Sequence, residues 1–263
     1  MPNAFVVWRG VGVSIEKAKT YGYDGIELAL KNAGQIDRDG LTSRLRVKGL
    51  TCPCISTGQV FAGLELYFTT RDRAKRAEVV RVYKGLIDLA SQFSAMVNIG
   101  RARGFVEKDE TREAATQRFV EVARELADYA LPRHVTLILE PVNRYEINFV
   151  NSVAEGAALM ERVDRPNMKL MPDISHMNIE DPSIGGELER HAPRIGYIHV
   201  ADSNRLAPGQ GHTDFQAFFQ SLRRMRYDGW LSVEILPKPD PDTAARQAAE
   251  FLRPMIDKHN RGG

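Results

Sequence analysis

Seven short apolar runs of strand type punctuate the chain, at 25–30, 51–56, 95–100, 136–140, 168–173, 195–200 and 229–235. Between them lie segments with the apolar spacing of amphipathic helices. Val79, Tyr83, Leu86, Ala90 and Phe93 share one helical face, as do Phe119, Val122, Leu126 and Ala130, while the opposite faces are charged. Strand and helix alternate to the end with no Pro/Ser-rich linker, low-complexity tract or break in composition. Such alternation favours parallel strands joined by crossover helices. The 263 residues suit one (β/α)8 TIM barrel, a fold of about 250 residues, better than two ordinary domains. The expectation is therefore a single domain over 1–263.

An eighth strand is needed, and the candidate is AFVVW at 4–8. Either this segment closes the barrel as a short or atypical first strand, or the chain lacks a conventional first strand and leaves a gap that a partner subunit or unusual packing must cover. Helix starts are better marked. Ser152 with Glu155 reads as a capping box, and Asp214 as an N-cap ahead of Phe215, Phe218 and Leu222.

Four of the strand-type runs end on groups able to bind a metal: Glu140 in LILE, Asp173 in KLMPD, His199 in YIHV and Glu234 in LSVE. Side chains two apart on a strand share a face. Ile138 therefore accompanies Glu140, Met171 accompanies Asp173, Tyr197 accompanies His199, and Trp230 and Ser232 accompany Glu234. All four then point into the barrel at its C-terminal mouth, where such barrels hold their active sites. One of these residues alone is an ordinary polar strand end as readily as a ligand; four in succession read as a site. Three carboxylates and one imidazole make a mostly oxygen site, suited to Mn²⁺ first and to Mg²⁺ or Co²⁺ as alternatives.

Lys and Arg number 36 against 34 Asp and Glu, a net charge of +2, which argues against nucleic acid or an anionic membrane as an obligate partner. No apolar stretch approaches the roughly 18 residues of a membrane span, and the first twenty lack the order of a signal peptide. The expected location is cytoplasmic. Cys52 and Cys54, the only cysteines, are expected to be reduced, with strand geometry pointing both to the same side. His134, His191 and His259 read as structural, and Gly209 and Gly211 as turn glycines. His212, between His199 and the helix after Asp214, is a candidate pocket residue. Arg101 and Arg103 follow a strand end, where guanidinium forks could meet a substrate carboxylate or phosphate.

The segments LEPVNRYE (139–146), PDISHMNIED (172–181), HVADSNRLAPGQGHTDF (199–215) and YDGWLSVE (227–234) together resemble the xylose-isomerase-like TIM-barrel sugar isomerase/epimerase superfamily. The resemblance is greatest to its D-tagatose 3-epimerase branch. TGQ (57–59) and NIGRARG (98–104) are most similar to the 5-keto-L-gluconate epimerase-like relatives. The resemblance implies metal ligation by Glu140, Asp173, His199 and Glu234, with Glu140 and Glu234 doubling as an acid/base pair. It further implies substrate-oxygen contacts from Glu146, His176 and Arg205. The implied activity is a divalent-metal-dependent isomerase, 3-epimerising a ketose, keto sugar acid or ketose phosphate through a cis-enediolate. Relatives of this kind also imply a homo-oligomer, dimer or tetramer.

Three other functions are weighed. A lyase or dehydratase subunit could use the same metal site to eliminate a group β to a sugar ketone. A catalytically silent partner subunit would keep the ligands without turnover. A metal-dependent endonuclease of the same fold would need more histidine ligands and a basic face. The chain departs from its relatives in the short N-terminus and in Pro172, which removes a backbone donor next to Asp173 and restricts Met171.

Overall fold

The computed structural model describes residues 1–7 and 11–262. Eight parallel strands form one sheet: β1 (Asn3–Val7), β2 (Gly25–Ala29), β3 (Cys54–Ser56), β4 (Met96–Ile99), β5 (Leu137–Leu139), β6 (Met168–Leu170), β7 (Tyr197–Val200) and β8 (Trp230–Val233). Around them lie helices α1 (Val11–Thr20), α2 (Arg38–Lys48), α3 (Gly58–Leu64), α4 (Arg73–Phe93), α5 (Arg112–Ala130), α6 (Val153–Val163), α7 (Ile174–Glu180), α8 (Ile184–Arg190), α9 (Phe215–Arg224) and α10 (Pro241–Asn260). None of them, among the described residues, is long and apolar enough to cross a membrane.

The order β6-β5-β4-β3-β2-β1-β8-β7 decides between the two readings of the N-terminal segment: it supplies the first strand and closes the barrel on that side. β1 is as long as β2 and longer than the other six strands. It pairs on both edges, Phe5 standing opposite Ile26 on one side and Val233 on the other. No partner subunit is needed there. Trp8, the last residue of the AFVVW segment, lies outside the described residues.

The weak seam falls instead between β6 and β7, which meet only through the isolated bridges Leu170 to Ile195 and Asp173 to His199. Pro172 sits in this seam without conflict. It has no amide hydrogen to place, and its carbonyl accepts the His199 amide at 2.9 Å. Met171, the residue a following proline restricts, donates to the Leu139 carbonyl at 2.8 Å. A strand that ends at Leu170 thus loses nothing to the proline.

Two apolar layers follow from the strand alternation. Outward-facing residues such as Ile26, Ile55, Val97, Leu139 and Leu231 pack on the inner faces of the helices. Inside the barrel, Cys54, Ile138, Met171 and Tyr197 form a smaller cluster. The expected stripes hold: Val79, Tyr83, Leu86 and Ala90 are buried on α4, and Phe119, Val122, Leu126 and Ala130 on α5. The larger of these side chains, such as Leu86 and Phe119, each contribute roughly 1.5–3 kcal/mol by leaving water.

Helix starts match the expected capping residues. Asp214 caps α9 by accepting from the Ala217 amide at 2.9 Å. Ser152 caps α6 by accepting from the Glu155 amide at 3.2 Å. The return bond differs from a strict capping box, because Glu155 accepts from the Asn151 amide one residue earlier. Cys52 and Cys54 are free and buried. They do not share a side: Cys52 belongs to the outer layer and Cys54 to the interior cluster, since β3 begins only at Cys54, after Pro53.

Candidate metal and sugar site

Glu140 and Glu234 stand one residue beyond β5 and β8, His199 lies in β7, and Asp173 caps α7. Their ligand atoms all lie within 4.8 Å of one another. His199 Nδ1 is 3.3 Å from Glu140 Oε1, 3.3 Å from Glu234 Oε2 and 3.9 Å from Asp173 Oδ2. The period-two argument explains this convergence, since each residue continues the inward face of its strand at the C-terminal rim. Asp173 does two things at once: Oδ1 accepts from the Ser175 amide at 2.8 Å, which leaves Oδ2 directed to the site.

Three carboxylates packed this tightly repel one another unless positive charge stands among them. His199 and Arg205 supply it. Arg205 donates from one guanidinium nitrogen to Asp173 Oδ2 at 2.6 Å and from the other to Glu234 Oε2. Burial works to raise the Glu234 carboxyl, but His199 and Arg205 outweigh it and hold it far below the usual carboxylate range. Burial likewise opposes ionised Asp173, and Arg205 and His176 overcome it. For His199, burial disfavours the charged ring, yet Glu27 and Glu234 keep its pKa well above the ordinary value. This anionic donor set of three oxygens and one nitrogen fits a hard divalent cation, whose charge would perform the neutralisation that the imidazolium performs here.

Glu140 and Glu234 of the cluster, with Arg205, line a cavity of about 500 Å³, as do Ser56, Gln59, Asn98, Arg101, Glu146 and His176, with Val142, Ile235, Leu236 and Pro237 as its apolar wall. Asp173 and His199 are buried behind them. His176 is buried, and its Nδ1 accepts from Asn143 Nδ2 at 2.8 Å, so Nε2 is free to face a ligand. Glu146 is exposed at the rim, 3.8 Å from Arg101. The Arg101 guanidinium lies 5.4 Å from the Phe61 ring centroid. These residues, with Arg205, are thus brought to one cavity.

Arg103 and His212 are not. Arg103 is fully buried and spends its guanidinium on carbonyls: Phe149 at 2.7 Å, Gly100 at 3.1 Å, Glu140 at 2.9 Å and Val150 at 2.9 Å. Burial lowers its pKa to about 10, so it remains a cation at neutral pH, but one with no face left for a substrate. His212 is exposed and outside the cavity wall, its Nδ1 3.0 Å from Ser203 Oγ. It belongs to the turn that Asp202 organises by accepting amides from Ser203 at 2.7 Å, Gly209 at 2.7 Å and Thr213 at 3.0 Å. That turn carries Arg205, in the left-handed region at φ 64°.

Three site residues escape the strand-end reading. Asn98 on β4 donates to Glu140 Oε2 at 3.0 Å. Gly100 permits this approach, since a Cβ there would come within 3.0 Å of the same oxygen. Glu27, in the middle of β2, bonds the far side of the His199 ring. Its signal was a carboxylate inside the apolar run GIELA, on the face shared with Gly25 and Ala29.

Fold and site define a class: a parallel eight-stranded α/β barrel with a cation-competent carboxylate and histidine cluster at its C-terminal mouth. Residues 15–255 match the model of the Xylose isomerase-like TIM barrel family, and the chain belongs to that family. It is 30% identical to the L-ribulose 3-epimerase of Methylomonas sp. (strain DH-1) over 94% of this chain and 92% of that protein. It is 27% identical to the D-psicose 3-epimerase of Agrobacterium fabrum over 85% of this chain and 78% of that one. A solved structure of an L-ribulose 3-epimerase superposes with a TM-score of 0.88 at 26% identity, covering 99% of this chain and 96% of the other.

Proposed function

We propose that this protein is a divalent-metal-dependent sugar epimerase acting on the carbon next to a ketose carbonyl. The observation that carries the reading is the convergence of Glu140, Asp173, His199 and Glu234, their ligand atoms all within 4.8 Å, with Glu140 and Glu234 lining a cavity of sugar size. Kinship with proteins named as ketose 3-epimerases supports it. Those four residues would hold the cation, with Mn²⁺ favoured and Mg²⁺ or Co²⁺ as alternatives. When bound, it would polarise the carbonyl and stabilise charge on neighbouring substrate oxygens.

Epimerisation requires a carbon-bound proton to leave one face and another to return to the opposite face. Glu140 and Glu234 come from β5 and β8, strands that are not neighbours in the sheet, so a sugar carbon between them meets a base on each side. In each direction the carboxylate on one side takes the carbon-bound proton. The carboxyl on the other, entering the step protonated, gives its own proton to the opposite face, and exchange with solvent restores the pair. Asn98 holds Glu140 by its Oε2 oxygen, and Arg205 holds Glu234, which fixes both bases before the substrate arrives. His176, Glu146 and Arg205 would read substrate hydroxyls. Arg101 would meet an outer oxygen, neutral or anionic. Val142, Ile235, Leu236 and Pro237 would exclude water from the reacting face. The proposal extends to a dimer or tetramer of this chain in the cytoplasm, checked by light scattering and fractionation.

The test is proton NMR of ketoses, keto sugar acids and ketose phosphates in D₂O after treatment with Mn²⁺-loaded protein. Deuterium should enter the carbon beside the carbonyl as an epimer accumulates. Glu140→Gln and Glu234→Gln should each lower that exchange by at least about 10²-fold while leaving the circular dichroism spectrum intact. Near-normal exchange in either variant would sink the two-base mechanism.

A further inference from the structure

Glu27 is fully buried inside the barrel, beneath the cluster of proposed ligands. Its neighbours there include Cys54 and Tyr197 of the interior apolar layer. A carboxylate in such surroundings is costly unless something charged or strongly hydrogen-bonding meets it. Ser56 Oγ donates to Oε1. The cationic partner is His199, whose Nε2 lies 3.0 Å from Oε1 and 3.1 Å from Oε2. The opposite ring nitrogen, Nδ1, faces Glu140, Glu234 and Asp173. His199 is thereby held from both ends along one axis.

An imidazole can present a lone pair from only one nitrogen while the other keeps its proton. We infer that Glu27 is a positioning residue: by accepting the Nε2 proton it commits Nδ1 to the cation and fixes the ring plane toward Glu140, Asp173 and Glu234. The assignment rests on the reading that these four residues hold a divalent metal. Partners of this kind orient ligating histidines and raise their basicity, and their loss weakens metal binding by about 10–100-fold. Glu27 touches neither the cavity surface nor the sugar space, since it does not line the cavity. Its effect on turnover would pass entirely through His199.

The experiment is a titration of metal-free protein with Mn²⁺, followed by electron paramagnetic resonance, for wild type and Glu27→Gln. Glu27→Gln should bind Mn²⁺ about 10–100-fold more weakly, and saturating Mn²⁺ should restore much of the lost exchange activity. A merely structural role would lower the melting temperature and leave the dissociation constant of the folded protein unchanged. That result would overturn the inference while the proposed function stood. Wild-type protein that takes up no Mn²⁺ would bring down the metal reading and this inference together. A second measurement needs no variant: nitrogen-15 NMR of histidine-labelled wild type loaded with diamagnetic Zn²⁺ should show His199 protonated on Nε2 and coordinated through Nδ1. The reverse tautomer would overturn the assignment whether or not Glu27→Gln folds.

Discussion

Arginines 101 and 103 sit two apart in RAR, yet one lines the cavity and the other is spent inside the protein. The 3-10 turn after β4 aims Arg103 under the loop that follows β5, where it clamps four carbonyls, including that of Glu140. Replacing it with methionine keeps the volume and removes every donor. Each carbonyl left dry would cost about 1–3 kcal/mol, so Arg103→Met should shift the urea midpoint of unfolding sharply downward and loosen Glu140. An unchanged midpoint would show that water satisfies the clamp. Residue type and strand-end position made Arg101 and Arg103 equal candidates. Only burial separates them, and burial is set by segments 46 and 47 positions away in sequence.

At the scale of elements, the end of α7 is tied to the start of α6 through Asp181, whose Oδ1 accepts the Val153 amide at 3.1 Å. Burial first, then the charges of Glu187, Glu180 and Glu155, raise its pKa to about 6. An acid whose folded pKa exceeds its unfolded value of about 3.9 favours the folded state fully only while protonated. Its contribution is lost as pH rises through about 6. Asp181→Asn keeps an oxygen for Val153 and removes the charge. It should therefore raise the melting temperature relative to wild type above that pH, with the gain vanishing near pH 4. A gain independent of pH would point to another cause. The helices themselves were legible because their apolar spacing and caps are local, as Asp214 and Ser152 illustrate. β3 was read too long, because Pro53 delays the ladder to Cys54.

For the whole molecule, closure is uneven. β1 is laddered to β2 and β8, whereas β6 and β7 are joined by isolated bridges. Amides that cross this seam, Gly196 to Leu170 at 3.0 Å and His199 to Pro172 at 2.9 Å, should exchange with solvent deuterium sooner than the β2 amides facing β1. Equal protection would mean that the barrel opens only as a unit. Asp173 and His199 face each other across the seam and would both hold the proposed cation, so added Mn²⁺ should slow exchange there. The barrel class and the four strand-end groups followed from the chain alone, because alternation along a strand and apolar spacing along a helix are short-range rules that the barrel obeys. The placement of the seam, the fork of Arg205 across Asp173 and Glu234, and the pairing of Glu27 with His199 across 172 positions were decided by tertiary structure. These depend on how the sheet closes on itself and where the loops run, and no local pattern encodes which side chains then meet.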